Sequence, residues 1–90
     1  MTLLLCLLAG LCIGNGLPHF IKGITKEDYP SMLGNGPVPN LIAGWSSLTI
    51  AAFLLLAADL GAAPAVSTAV ISLGVLAMGL FHAKVGAFGR

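Results

Sequence analysis

The chain has 90 residues, of which 58% are apolar and 8% charged, and its formal net charge is +1. A water-soluble domain carries about a quarter charged residues, and a chain this short has too little interior to hide so many apolar side chains; the composition argues against a soluble fold and for lipid as the solvent. With no basic run and no aromatic platform, nothing points to nucleic acid as a partner. The expectation is an all-α integral membrane protein, one domain over 1–90, with three transmembrane helices.

The first apolar run extends from Thr2 to Ile13 and on through Leu17 to Ile21. A span over about residues 2–21 rises about 30 Å as a helix, enough to cross a bilayer core. Leu3, Cys6, Gly10, Gly14 and Leu17 share one stripe, and Gly10 with Gly14 fits a small-xxx-small helix contact. Gly14, Gly16 and Pro18 together predict a break near Gly14–Asn15, with an irregular last turn packed on protein. Cys6 and Cys12 stand about 9 Å and about 120° apart along a helix. That spacing suits neither a disulfide nor a shared metal, so both read as small, lipid-compatible side chains. No Lys or Arg precedes the run, and Leu11 stands where a lipoprotein site needs a small residue; the segment is expected to be retained.

Residues 22–39 form the polar loop, with Lys22, Lys26, Glu27, Asp28 and Tyr29. Pro30, Pro37, Pro39, Gly34 and Gly36 keep it from being a long helix, although Thr25-Lys26-Glu27-Asp28 has the makings of a capped single turn. Lys26, Glu27 and Asp28 read as a solvated face. The stretch Gly14–Gly23 resembles Gly34–Gly44 with one insertion, which reads as coincidence between two turn-forming segments.

The second span is expected at about 40–58, with Asn40 as its N-cap and Trp45 in the interfacial belt. Gly44, Ser47, Ala51, Leu55 and Ala58 give it a mostly small face. Asp59–Ala63 makes a tight turn, with Asp59 ending or capping a helix, and Pro64 suits the first position of a third span over about 64–83. Ala65, Ala69, Ser72, Leu76, Gly79 and Ala83 line one side of that span. Spans two and three are therefore predicted to form a tight hairpin, small face to small face, followed by a short basic tail over 84–90.

Three spans put the loop and the tail on one side, and that side holds Lys22, Lys26, Lys84 and Arg90. The positive-inside rule then predicts a cytoplasmic loop and C-terminus, with the N-terminus outside. Phe20, Tyr29, Trp45, Phe81 and Phe88 gather on the same side.

His19 and His82 are the residues best suited to chemistry. Each ends a span, and topology brings both to the same surface, where a metal or haem pair is conceivable. The competing reading rests each ring at the headgroups as an amphipathic side chain. The interiors of spans two and three hold no ionisable residue, only Ser46, Ser47, Thr49, Ser67, Thr68 and Ser72. Such hydroxyls usually bond within or between helices, and a pore lined by them in a homo-oligomer is the alternative. No nucleophile stands with a base, and there is no phosphate loop or carboxylate pair, so no enzyme activity, metal or cofactor is expected.

Asn15, Pro18-His19-Phe20, Gly23, Tyr29-Pro30 and Asn40 with Gly44-Trp45 resemble a group of small bacterial membrane proteins that carry N-x-x-P-H-F-x-x-G after the first span. In that group an aromatic–proline pair follows in the loop, and an asparagine and a tryptophan–glycine pair open the second span. The likeness covers about the middle third of the chain; here the loop is shorter and the Gly44-Trp45 order is reversed. It implies three spans, a bacterial cytoplasmic membrane and a meaningful His19, and supplies no mechanism. The function expected is that of a small accessory or structural subunit of a larger membrane complex. Its packing residues would be Gly10, Gly14, Asn15, Asn40, Gly44, Trp45, Ser47, Ala51, Ala65, Ala69 and Gly79, with Pro18, His19 and Phe20 as a docking turn. The alternatives are a self-assembling, holin-like pore or transporter, and a His19/His82 haem or metal site.

Overall fold

The computed structural model describes residues 1–86, in which three long helices follow one another: α1 (Thr2–Ile24), α2 (Pro37–Ala57) and α3 (Pro64–Lys84), with a short 3-10 turn at Leu60–Ala62 before the last. All three helices are long and apolar enough to cross a membrane. Residues 87–90, and with them the expectations that fell on Phe88 and Arg90, lie outside the described residues.

The expected break near Gly14–Asn15 is absent: α1 continues through Gly14, Gly16 and Pro18 to Ile24. Pro18 cannot donate to the Gly14 carbonyl. Gly14 and Gly16 nevertheless lie close against α3 and α2 respectively, and packing on both sides offsets the missing hydrogen bond. The helix ends in a Schellman motif. Lys26 adopts φ 60°, the Glu27 N–H donates to the Lys22 carbonyl at 2.9 Å, and the Lys26 N–H donates to the Gly23 carbonyl at 3.3 Å. Thr25 therefore closes α1 rather than opening a turn of its own, and its hydroxyl donates to the Ile21 carbonyl at 2.8 Å. α2 begins earlier than expected, with Gly36 as N-cap and Pro37 in its first turn. Asn40 is thus not the N-cap. It sits one turn inside, its own N–H bonded to the Gly36 carbonyl at 3.2 Å, and its side chain is free for other partners.

The predicted α2–α3 hairpin is also corrected. α1 is the middle helix and packs along both others, whereas α2 and α3 do not pack along each other. The reason lies in α1. At 100° per residue, Gly10 and Gly14 face one way, and Gly16 and Gly23 face a direction roughly 150° away. Each face admits a neighbour's backbone. A methyl group on Gly10 would overlap the Ile71 carbonyl, and one on Gly74 would lie 2.8 Å from the Leu7 carbonyl. On the other side, a methyl on Gly44 would overlap the Phe20 amide, and one on Gly23 would lie 2.6 Å from the Leu41 amide. The small face foreseen on α2 is real, and Gly44, Ser47 and Ala51 are buried by it, but it is spent on α1. α3 uses a different face, with Ser67 and Gly74 buried. The stripe Ala65, Ala69, Ser72, Leu76, Gly79 and Ala83 is exposed throughout.

At the end opposite the loop, the Asp59 N–H donates to the Thr2 hydroxyl at 3.2 Å and ties the α2–α3 connection to the start of α1. The interior is small and polar: the buried side chains include Cys6, Ala9, Ala51, His19, Asn40, Ser47 and Ser67. The large apolar residues lie outside, among them Trp45, Phe53, Leu56, Leu73 and Leu80. A water-soluble bundle distributes its residues the other way; helices associating in lipid pack through small and hydrogen-bonding residues.

Candidate functional site

The site is assembled at the loop end of the helices, around Asn40. Asn40 is fully buried. Its amide nitrogen donates to the carbonyls of Tyr29 at 2.6 Å, Gly36 at 3.0 Å and Asn35 at 3.2 Å. Three carbonyls on one side fix which end of the amide is nitrogen. The oxygen therefore faces His19, whose Nδ1 lies 2.7 Å away and must be the donor. A single side chain from α2 thus pins the loop to its own helix start and orients a ring of α1. The Tyr29 N–H, bonded to the Asn35 carbonyl at 2.9 Å, closes the loop on itself, and Ser31 Oγ donates to the Gly34 carbonyl.

His19 is 5% exposed. Its ring packs edge-on to Tyr29 from the loop, centroids 5.2 Å apart, and edge-on to His82 from α3 at 5.9 Å. Tyr29 and His82 stack at 6.4 Å with 21° between their planes, and Phe81 flanks His82 at 5.6 Å. His82 Nδ1 lies 2.9 Å from the Met78 carbonyl one turn back. A carbonyl only accepts, so this nitrogen also carries the proton. Both imidazoles therefore have Nδ1 occupied as a donor, and a neutral ring in that tautomer leaves its Nε2 lone pair as the remaining polar function.

A cavity of about 400 Å³ opens beside His19, between Asn15 on α1, Ala43, Ser46, Ser47 and Ile50 on α2, and Ser31, Met32 and Leu33 from the loop. Its volume is near the lower end for small-molecule pockets. Ser47 offers the cavity no donor, because its hydroxyl donates to the Cys12 carbonyl across the α1–α2 seam at 2.6 Å.

His19 and His82, named from the sequence, do meet. Gly10, Gly14, Gly44, Ser47 and Ala51 lie between helices of this chain, and Asn15 and Pro18 are half-buried beside the site with Phe20. Trp45, Ala65, Ala69 and Gly79 face outward. Sequence reasoning missed Tyr29, read as loop, and gave Asn40 the wrong task. One signal existed. Residues carrying the motif resemblance converge here: His19, Tyr29 and Asn40 form the network, Gly23 and Gly44 allow α1 and α2 to close on it, and Asn15 lines the adjoining cavity. No family model, curated protein or solved structure matches the chain.

Proposed function

We propose that the protein is a three-span membrane protein that serves as a small, non-catalytic accessory or structural subunit of a larger membrane complex, joined to it laterally through the outward face of α3. The observation that carries this reading is the exposed stripe Ala65, Ala69, Ser72, Leu76, Gly79 and Ala83, small at every position but Leu76. Nothing lies within 4 Å of the point where a Gly79 side chain would begin. Elsewhere in this chain such stripes are covered by a neighbouring helix, and in lipid the gain from close packing falls to whichever helix covers them. The docking role first suggested for the Pro18-His19-Phe20 turn passes to this face, because the His19 ring is buried under Asn40, Tyr29 and His82. Among the described residues Lys22, Lys26 and Lys84 lie at the loop end and Asp59 at the other, which favours a cytoplasmic loop and C-terminus.

The test is the particle released from native membranes in mild detergent, using a C-terminal tag. Partner subunits at fixed stoichiometry, lost in Ala69→Leu/Gly79→Leu, are the expected result. A pure homo-oligomer that conducts ions or solutes would replace this reading with a self-assembled pore.

A further inference from the structure

The cavity beside His19 holds polar groups that the fold itself leaves unused. Asn40, Ser47 and Nδ1 of His19 are satisfied within the chain. Asn15 and Ser46 line the cavity with His19 and are half-buried. Among the described residues, neither the Asn15 amide nor the Ser46 hydroxyl takes part in a hydrogen bond. A polar side chain at membrane depth is costly without a partner. Here α1 and α2 nevertheless leave about 400 Å³ open around these two, although Gly16 and Gly44 bring the same helices into close contact nearby. Asn15 and His19, four residues apart on α1, share one face and stand about 6 Å apart along its axis. Ser46 comes from α2, with Ala43 and Ile50 on the same helical face. The loop covers the cavity with Ser31, Met32 and Leu33, held there by the grip of Asn40 on the Tyr29 carbonyl. Met32, Leu33 and Ile50 are exposed, so the rim is apolar and the approach is from lipid.

We propose that this cavity binds the ring of a lipid-soluble quinone or quinol, which enters laterally from the bilayer. The lining selects the ligand. No Lys, Arg, Asp or Glu lines the cavity, so a charged headgroup would lose its hydration there without meeting a counter-charge. A bare acyl chain suits the apolar wall but leaves the Asn15 amide and the Ser46 hydroxyl unpaired. A neutral ring with oxygens at opposite ends answers both demands. Its faces pack against Met32, Ala43 and Ile50, and its oxygens meet Asn15 and Ser46 within the cavity. The amide and the hydroxyl each both donate and accept, so a carbonyl and a phenolic hydroxyl are held equally well. The volume, near the lower end for small-molecule pockets, takes a substituted ring and the start of its tail, with the remainder in lipid. Met32, unbranched and adaptable, can close on a flat ligand. Binding exchanges lipid for the ring and transfers no electron or proton. The site lies between α1 and α2, away from the outward face of α3, and stands or falls separately from the subunit reading.

The test is photolabelling of the full-length protein in lipid nanodiscs with an azido-benzoquinone carrying a decyl tail, mapped by mass spectrometry. Saturable labelling at one site per chain is expected, confined to residues 31–50 and the facing turns of α1, and displaced by decylubiquinone. Ala43→Phe fills the cavity and Asn15→Leu removes the amide at similar size; each should weaken labelling at least tenfold. Ser46→Ala leaves the shape intact and should weaken it about threefold, the worth of one neutral hydrogen bond. Circular dichroism and gel filtration check that each variant is folded. Labelling that persists in folded Ala43→Phe and Ser46→Ala would overturn the proposal, as would labelling spread over all three helices in proportion to their lipid contact. Displacement by dioctanoylglycerol as effective as by decylubiquinone would overturn it too, and would reassign the cavity to a neutral lipid.

Discussion

On its α2 side α1 is joined by hydrogen bonds: the Ser47 hydroxyl to the Cys12 carbonyl, and His19 to Asn40, which in turn holds the loop. Its α3 side is joined by shape, with Gly10, Gly14 and Gly74 letting backbone meet backbone, and with Ser67 Oγ buried and lacking any hydrogen-bond partner. Neither seam tolerates an added methyl, because Gly23 and Gly44 bring α2 as close to α1 as Gly10 and Gly74 bring α3; the α2 seam depends in addition on its hydrogen-bond partners, whereas the α3 seam tolerates a lost hydroxyl. In lipid, where apolar surface gains little by leaving its solvent, these are the two available ways to hold helices together.

Four substitutions break or sharpen that contrast. Gly10→Val attacks the close-packed seam, because its side chain would overlap the Ile71 carbonyl; a loss of about 3 kcal/mol is expected from overpacking, read as a lowered melting temperature in nanodiscs. Asn40→Leu attacks the bonded seam. It strands the Tyr29 carbonyl and His19 Nδ1 and leaves the Asn35 and Gly36 carbonyls with their backbone donors alone, at a cost of about 2–3 kcal/mol, with faster proteolysis of residues 25–36 as the second readout. Ser47→Ala removes a single interhelical bond and should cost about 0.6 kcal/mol, the average for such bonds in a membrane protein. Ser67→Ala, on the other seam, should be neutral or slightly stabilising, within about 0.5 kcal/mol, because its hydroxyl is buried without a partner. A larger loss for Ser67→Ala than for Ser47→Ala, measured by the same melting curves, would erase the distinction.

The extent of α3 and the placing of His19 and His82 at one end of the helices could be read from hydropathy, proline positions and topology, whereas the unbroken course of α1 past Gly14 to Ile24 could not. The small faces were equally legible, but not their pairing. A stripe such as Gly44, Ser47 and Ala51 declares that a helix will cover it, and cannot say which. The short Asp59–Ala63 turn suggested α3, and the second glycine face of α1, Gly16 with Gly23, was the overlooked sign that α1 takes a neighbour on each side. Asn40 was misread because a helix start rewards asparagine as a cap, and only the fold shows Gly36–Pro37 already performing that task. Tyr29 was illegible for a related reason: its place depends on the loop folding back over α2, through carbonyls that any sequence would supply.

The central position of α1 can be tested by cysteine cross-linking in native membranes, with Cys6 and Cys12 first replaced by alanine. Gly14→Cys with Met78→Cys joins α1 to α3, where a side-chain carbon on residue 14 would lie 2.8 Å from Met78 Cβ, within a small relaxation of disulfide geometry. Ala51→Cys with Ser72→Cys joins the two small faces that a hairpin of α2 and α3 would bring together. An oxidised 14–78 pair with a reduced 51–72 pair is the predicted result. The reverse pattern would place α2 against α3, remove α1 from the middle, and withdraw the outward face of α3 on which the subunit reading depends.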